Sequence, residues 1–263
     1  MRRLPIGVFD SGIGGISILE TLVKEFPNED FIYVADTKNC PYGIRSKLEI
    51  AGFVTEVTEI LLRFGVKAIV IACNTATANS DHLKLDIPIV GMIEPTAIEA
   101  ANATLNKQVL VLATNATAES HLYKKTLGNL GVASREIGCS EFVPLVESGL
   151  MGTKQAETVV RMKLEPYEKE EADTIILGCT HFGFLKQEIE EVMKQRNLVS
   201  GALQVAKELR KLLPDNKNQP LAERQTIKLG STGDLADFDK SLRLIKPGFD
   251  YQFLNLELNI NKI

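Results

Sequence analysis

Three runs of the chain place reactive side chains directly after apolar, β-branched segments. "TIILG" (174–178) is followed by Cys179, Thr180 and His181, "KAIVIA" (67–72) by Cys73, Asn74 and Thr75, and "PIGVF" (5–9) by Asp10 and Ser11. A thiol is an acid–base group as well as a nucleophile. Its ordinary pKa of about 8.5 falls beside a cation or a helix N-terminus. Two thiols at equivalent strand ends suit a two-base reaction. One thiolate removes a proton from one face of a carbon, and a thiol supplies a proton on the other face. Cys73 and Cys179 each begin a strand-to-helix turn, where amides and the positive helix end are expected to favour thiolate. Asp10, on a strand expected beside that of Cys73, and His181, two residues from Cys179, are placed to shuttle or tune the thiol protons.

Each motif also has a plainer reading. Cys is among the most buried residue types, so a single strand-end Cys more often packs than reacts. The pairing is what favours chemistry. Cys40 and Cys139 have no polar cluster beside them and read as packing or loop residues. His82 and His121 read as surface or capping residues. The glycines of "DSGIGG" (10–15) let backbone amides approach an anion, but the spacing is neither a dinucleotide fingerprint nor a P-loop. A carboxylate ligand and a tight βα turn suit them about equally. Asn74, Thr75 and Thr180 can cap helices while also donating to a ligand. Cys179 and His181 share a strand face, yet zinc needs three or four ligands and no second cluster lies near, so no metal is expected. Apart from Lys38 in the loop after 31–35, no Lys sits among the strand-end motifs, which disfavours a Schiff-base, pyridoxal-phosphate route.

The elements that must hold these groups read as α/β. Apolar runs at 5–9, 31–35, 67–72, 87–92, 108–113, 174–178 and 226–230 alternate with helical patterns, notably 45–64, 154–170, 186–213 and 234–245. The runs are apolar throughout, as strands covered on both faces should be. Ligands of such sheets bind beyond the carboxyl ends of the strands. Residues after those ends are small and polar: Asp36 and Thr37, then Pro41, Tyr42 and Gly43; Thr114 and Thr117; Ser231 and Thr232. "AIVIACNTA" and "TIILGCTHF" echo each other, which suggests two similar lobes, each a mostly parallel sheet flanked by helices, with the active site in the cleft between them. The expected division is 1–95 plus 208–263 for the first lobe and 96–207 for the second.

The bulk composition agrees. The 263 residues are 44% hydrophobic and 24% charged, with a net charge of −4, close to the globular average. Lys and Arg are scattered, which argues against a nucleic-acid or anionic-membrane surface. No apolar run nears the roughly 18 residues of a membrane span. Four widely spaced cysteines suit free thiols in a cytoplasmic, reducing setting.

Taken together, "GVFDSGIGG", "ADTKNCPYG", "ACNTATA", "VPLVESG" and "GCTHF" resemble, in this order, the bacterial glutamate racemases of the aspartate/glutamate racemase superfamily. The likeness runs from the first strand to about Val205 and returns at "STGDLADF". It implies a cofactor-independent enzyme that interconverts L- and D-glutamate and supplies D-glutamate for peptidoglycan synthesis. By this likeness Cys179 takes the proton from L-glutamate and Cys73 from D-glutamate, with Asp10 assisting on the Cys73 side and His181 on the Cys179 side. Ser11, Tyr42, Gly43, Asn74, Thr75, Thr114, Thr117 and Thr180 match substrate-contacting positions, and Asp36 and Glu147 match supporting acidic ones. Two departures stand out: Gly183 where the family usually has Pro, and Asn39 where Arg is common. Alternatives are a racemase of aspartate or hydantoins, a thiol hydrolase built on Cys179 and His181, and a non-catalytic amino-acid or protein-binding module. Many α/β enzymes of this size are homodimers, and a homodimer is the expectation here.

Overall fold

The computed structural model describes residues 4–213 and 225–256. Its first half runs β1 (Ile6–Asp10), α1 (Ile16–Glu25), β2 (Phe31–Ala35), α2 (Lys47–Arg63), β3 (Ala68–Ile71), α3 (Asn74–Thr77), β4 (Ile89–Gly91) and α4 (Ile93–Ala103). Next come β5 (Gln108–Ala113), α5 (Asn115–Glu119), α6 (Leu122–Asn129), β6 (Ala133–Gly138), α7 (Phe142–Glu147) and α8 (Lys154–Leu164). The chain closes with β7 (Thr174–Gly178), α9 (Lys186–Val192), β8 (Asn197–Val199), α10 (Ala202–Leu212), β9 (Ile227–Ser231), α11 (Leu235–Ile245) and β10 (Gln252–Phe253).

Among the described residues the strands form two sheets, one ordered β10-β9-β2-β1-β3-β4 and the other β6-β5-β7-β8. Every pairing is parallel. The chain passes from the first sheet to the second after β4 and returns before β9. Strands β1, β2, β3 and β7 are buried along their whole length, as two-sided coverage by helices demands. One apolar cluster runs from Val8 and Leu19 in the first lobe to Leu112, Ile175 and Phe182 in the second, so the lobes share a core.

Register decides which strand ends meet. Phe9 pairs with Ile71, and the Ala72 amide donates to the Phe9 carbonyl at 2.8 Å. Asp10 and Cys73 therefore leave adjacent strands side by side. In the second sheet Ala113 pairs with Gly178, which sets Thr114 beside Cys179.

Several elements differ from the sequence reading. The helical pattern at 186–213 is two helices separated by β8, with Gly201 at φ +80° opening α10. The pattern at 154–170 ends at Leu164 and passes into a 3₁₀ turn over Glu165–Tyr167. Pro166 lacks the amide that a continuing helix would need. Strand β6 was not among the expected runs: its sequence "ASREIG" lies at a sheet edge with largely exposed or half-buried positions, so it lacks an apolar signature.

Candidate active site

The carboxyl ends of the two sheets face each other, and the loops leaving them interlock. The Thr180 hydroxyl of the second lobe donates to both carboxylate oxygens of Asp10 in the first, at 3.2 and 3.3 Å. Thr75 of the first lobe shares hydrogen bonds with Thr114 at 2.8 Å and Thr117 at 3.0 Å of the second. Thr114 and Thr117 are themselves 3.0 Å apart. The Ser140 hydroxyl donates to the Gly43 carbonyl.

Cys73 stands where β3 passes into the single turn of α3. Its side chain accepts from the Ala76 amide at 3.4 Å and donates to Ser11 Oγ at 3.7 Å. The expected lowering of its pKa does not occur. Burial above all, then the neighbouring Asp10 charge, pushes the thiol up to about 12, against the opposing pull of the Ala76 amide. One amide of a four-residue helix does not match the desolvation of a thiolate.

Cys179 directly follows β7 and opens a 3₁₀ turn over Thr180–Leu185. Its sulfur lies 3.7 Å from His181 Nδ1, and His181 Nε2 lies 2.6 Å from Glu147 Oε1. Burial works to lower the pKa of His181, but its hydrogen bonds and charge interactions with Cys179 and Glu147 hold it well above the usual range. Burial works to raise the Glu147 carboxyl, yet the His181 interaction, the Ile13 amide and the Cys40 thiol bring it below its ordinary value. Second-lobe Cys179 thus faces an imidazolium, whereas Cys73 of the first lobe is held as a neutral thiol.

The "DSGIGG" loop serves the protein rather than an outside anion. Asp10 Oδ2 accepts from the amides of Gly15 at 2.9 Å and Gly12 at 3.3 Å, and Glu147 accepts from the Ile13 amide at 3.4 Å. Burial still raises the Asp10 carboxyl, despite the charge of His181 and these amides. Glycine is required for closeness. A Cβ at Gly14 would overlap Thr180 Oγ1 and stand 2.8 Å from His181 Nδ1, and one at Gly12 would overlap Glu147 Oε1.

Asp36, just after β2, is the centre of a hydrogen-bond cluster. Its Oδ2 accepts from the Tyr42 hydroxyl, Oδ1 accepts from the Thr232 hydroxyl, and the Asn39 amide donates to both oxygens. Tyr42 therefore has its hydroxyl committed inward, and its 3₁₀ turn over Tyr42–Ile44 packs Gly43 against Thr114. Asn39, one of the two departures from the expected pattern, is part of this cluster. Gly183 has open space where a Cβ would stand, so that residue is not dictated by packing.

The residues expected to act on or bind a substrate are thus gathered around the junction of the lobes, whereas His82 and His121 lie outside it, bonded to Thr55 and Glu136. Three further residues join those at the junction. Cys40, read as a packing or loop thiol, approaches Glu147 Oε1 at 3.9 Å, and burial together with the Glu147 charge raises its pKa strongly. Tyr33, fully buried, donates to the Gly12 carbonyl at 2.7 Å and so steadies the loop. Tyr123 donates to Asn74 Oδ1 at 2.6 Å. The adjacency of Cys40 to Pro41 and Tyr42 was a usable signal; nothing local marked the two tyrosines. Among the described residues no group of three or more His, Cys, Asp or Glu side chains could hold a metal ion, and no helix is long and apolar enough to cross a membrane.

Known proteins resemble this chain in sequence and in fold. Residues 6–209 match the Asp/Glu/Hydantoin racemase family model. A glutamate racemase of Oceanobacillus iheyensis is 37% identical, over 98% of each chain. The crystal structure of a glutamate racemase isoform from Bacillus anthracis superposes with a TM-score of 0.87 at 32% identity, over 97% of this chain and 99% of that one. The Francisella tularensis glutamate racemase, solved in complex with D-glutamate, gives 0.85 at 29% identity, over 97% and 99% of the two chains. Sequence and fold therefore agree along almost the whole length, and the chain belongs to the Asp/Glu/Hydantoin racemase family, with glutamate racemases as its full-length relatives.

Proposed function

We propose that this racemase interconverts L- and D-glutamate without a cofactor, using Cys73 and Cys179 as its two acid/base groups. One observation carries the reading: each lobe contributes one buried thiol, from just beyond the carboxyl end of a parallel strand, to the hydrogen-bonded junction of the lobes. With L-glutamate, the Cys179 thiolate, beside imidazolium His181, removes the α-proton. The neutral Cys73 thiol then delivers a proton to the opposite face of the planar carbanion. D-Glutamate runs the same steps in reverse, and Asp10 and His181 manage the proton left on each thiol. The α-proton is very weakly acidic, so negative charge must be stabilised as it develops. Preorganised donors in a site that excludes water do this, and Ser11, Asn74, Thr75, Thr114, Thr117 and Thr180, with the turn at Tyr42 and Gly43, are the proposed substrate contacts. Asp36 and Glu147 hold this frame in place. On this reading the D-glutamate feeds peptidoglycan synthesis in a bacterial cytoplasm.

The line from Cys179 through His181 to Glu147 also has the order of a hydrolase triad, thiol, imidazole and carboxylate. That chemistry leaves the second thiol, Cys73, without a task, and family membership favours racemisation.

The test is α-proton exchange in D2O, followed by NMR, with circular dichroism for loss of optical activity. Both enantiomers should gain deuterium and decay to the racemate. Cys73→Ser and Cys179→Ser should each lower kcat by about 10²- to 10⁴-fold, the range expected for losing a positioned acid or base. Full racemisation by both variants would end the two-thiol reading. A preference for aspartate would move the substrate, and a covalent acyl-enzyme seen by mass spectrometry would move the reaction class.

A further inference from the structure

We infer that Tyr123 is a positioning residue that fixes the carboxamide of Asn74 across the junction of the lobes. The inference rests on the reading of Asn74 as a substrate contact.

Tyr123 lies on α6 of the second lobe and is fully buried. Its ring fits against the end of β7: a Cβ on Gly178, the residue before Cys179, would come within 3.2 Å of Tyr123 Cε2. Its hydroxyl crosses to the first lobe and donates to Asn74 Oδ1 at 2.6 Å. Asn74 is the residue after Cys73. One side chain therefore spans the two strand ends that carry the thiols. Burial raises the phenol's pKa, which keeps the hydroxyl protonated and a donor.

The bond has a directional consequence. A carboxamide has an acceptor end and a donor end. With Tyr123 on the acceptor end, the Nδ2 end is turned away from Tyr123. Asn74 is itself buried, and Nδ2 has no hydrogen-bond partner among the described residues. A donor held this way suits a carboxylate or a developing anion. Without the hydroxyl, Asn74 Oδ1 loses its partner in a buried setting, which penalises that orientation and lets the amide flip its acceptor end toward the anion.

The experiment is a double-mutant cycle with Tyr123→Phe and Asn74→Ala in the full chain. Tyr123→Phe keeps the ring that packs on Gly178, so its melting temperature should fall by only a few degrees, roughly what the loss of one buried hydrogen bond gives. Its kcat/KM should fall roughly 5- to 20-fold, as loss of one hydrogen bond of about 1–1.8 kcal/mol gives. In the Asn74→Ala background the same substitution should change kcat/KM less than twofold. An equal loss in both backgrounds would assign Tyr123 to packing and overturn the inference. So would a parental kcat/KM for either single variant. The function itself is judged separately, on the parent chain. A parent that exchanges no glutamate α-proton would refute the proposed activity. The cycle would then be read on the Kd of D-glutamate and of D-aspartate by calorimetry, where the same coupling, or its absence, decides the role of Tyr123.

Discussion

Glu147→Gln separates the charge of this residue from its shape. Gln keeps an oxygen for His181 Nε2, now 2.6 Å from the carboxylate, and for the Ile13 amide at 3.4 Å. It removes the negative charge that, with Cys179, holds His181 protonated. Hydrogen bonds to charged groups contribute about 1.5–3 kcal/mol. His181 is almost fully buried, so the upper part of that range applies. A loss of about 2–3 kcal/mol is roughly a 30- to 150-fold fall in kcat/KM. L- and D-glutamate have equal free energy in water, so kcat/KM must fall by the same factor in both directions. The pH profile carries the diagnosis. His181 is raised well above its ordinary value, and losing the Glu147 charge lowers it, so the alkaline limb of activity should move toward lower pH. Stability follows the same signs. The His181 contribution is full below its unfolded pKa and is lost as pH rises through the folded one. The Glu147 contribution, from a lowered carboxyl, is present above its unfolded pKa and is lost as pH falls through the folded one. Urea unfolding at pH 7 should therefore show a weaker variant. A fall in kcat/KM of less than threefold with the alkaline limb unmoved would refute the assignment of Glu147 as the group that charges His181.

Gly14→Ala should weaken both fold and activity, since its Cβ would overlap Thr180 Oγ1 and stand 2.9 Å from the His181 amide. Overpacking of this kind costs about 1–3 kcal/mol, readable as a drop in melting temperature, and an unchanged value would show that the lobes yield freely. Cys73, pushed up to about 12, should resist iodoacetamide at pH 8 some 10³-fold more than a free thiol of pKa about 8.5; labelling at the free-thiol rate would contradict its burial. The same raised thiol should lower stability as pH climbs above about 8.5 toward 12, because only the unfolded state ionises there. Cys73→Ser should remove up to about 1.4 kcal/mol per pH unit of that slope, and an unchanged slope between pH 9 and 10 would refute it.

The sequence alone determined the strands that are buried on both faces, because short continuous apolar runs such as "FIYVA" and "TIILG" fit strands of a parallel sheet covered by helices on both sides. It also determined which residues stand at the carboxyl ends of those strands, since a residue that follows a strand is fixed there by the covalent chain. Edge strands such as β6 were not legible, because their half-exposed positions carry no apolar pattern. Tertiary structure decided which strand ends meet. His181 finds Glu147 34 residues away, and Asn74 finds Tyr123 49 residues away. No local spacing encodes such a pairing. It also reversed the expected chemistry of Cys73. Proximity to a helix start suggested a lowered pKa, but two lobes closing over the thiol remove it from water. Desolvation depends on everything packed around a group, so it exists only once the whole chain has folded.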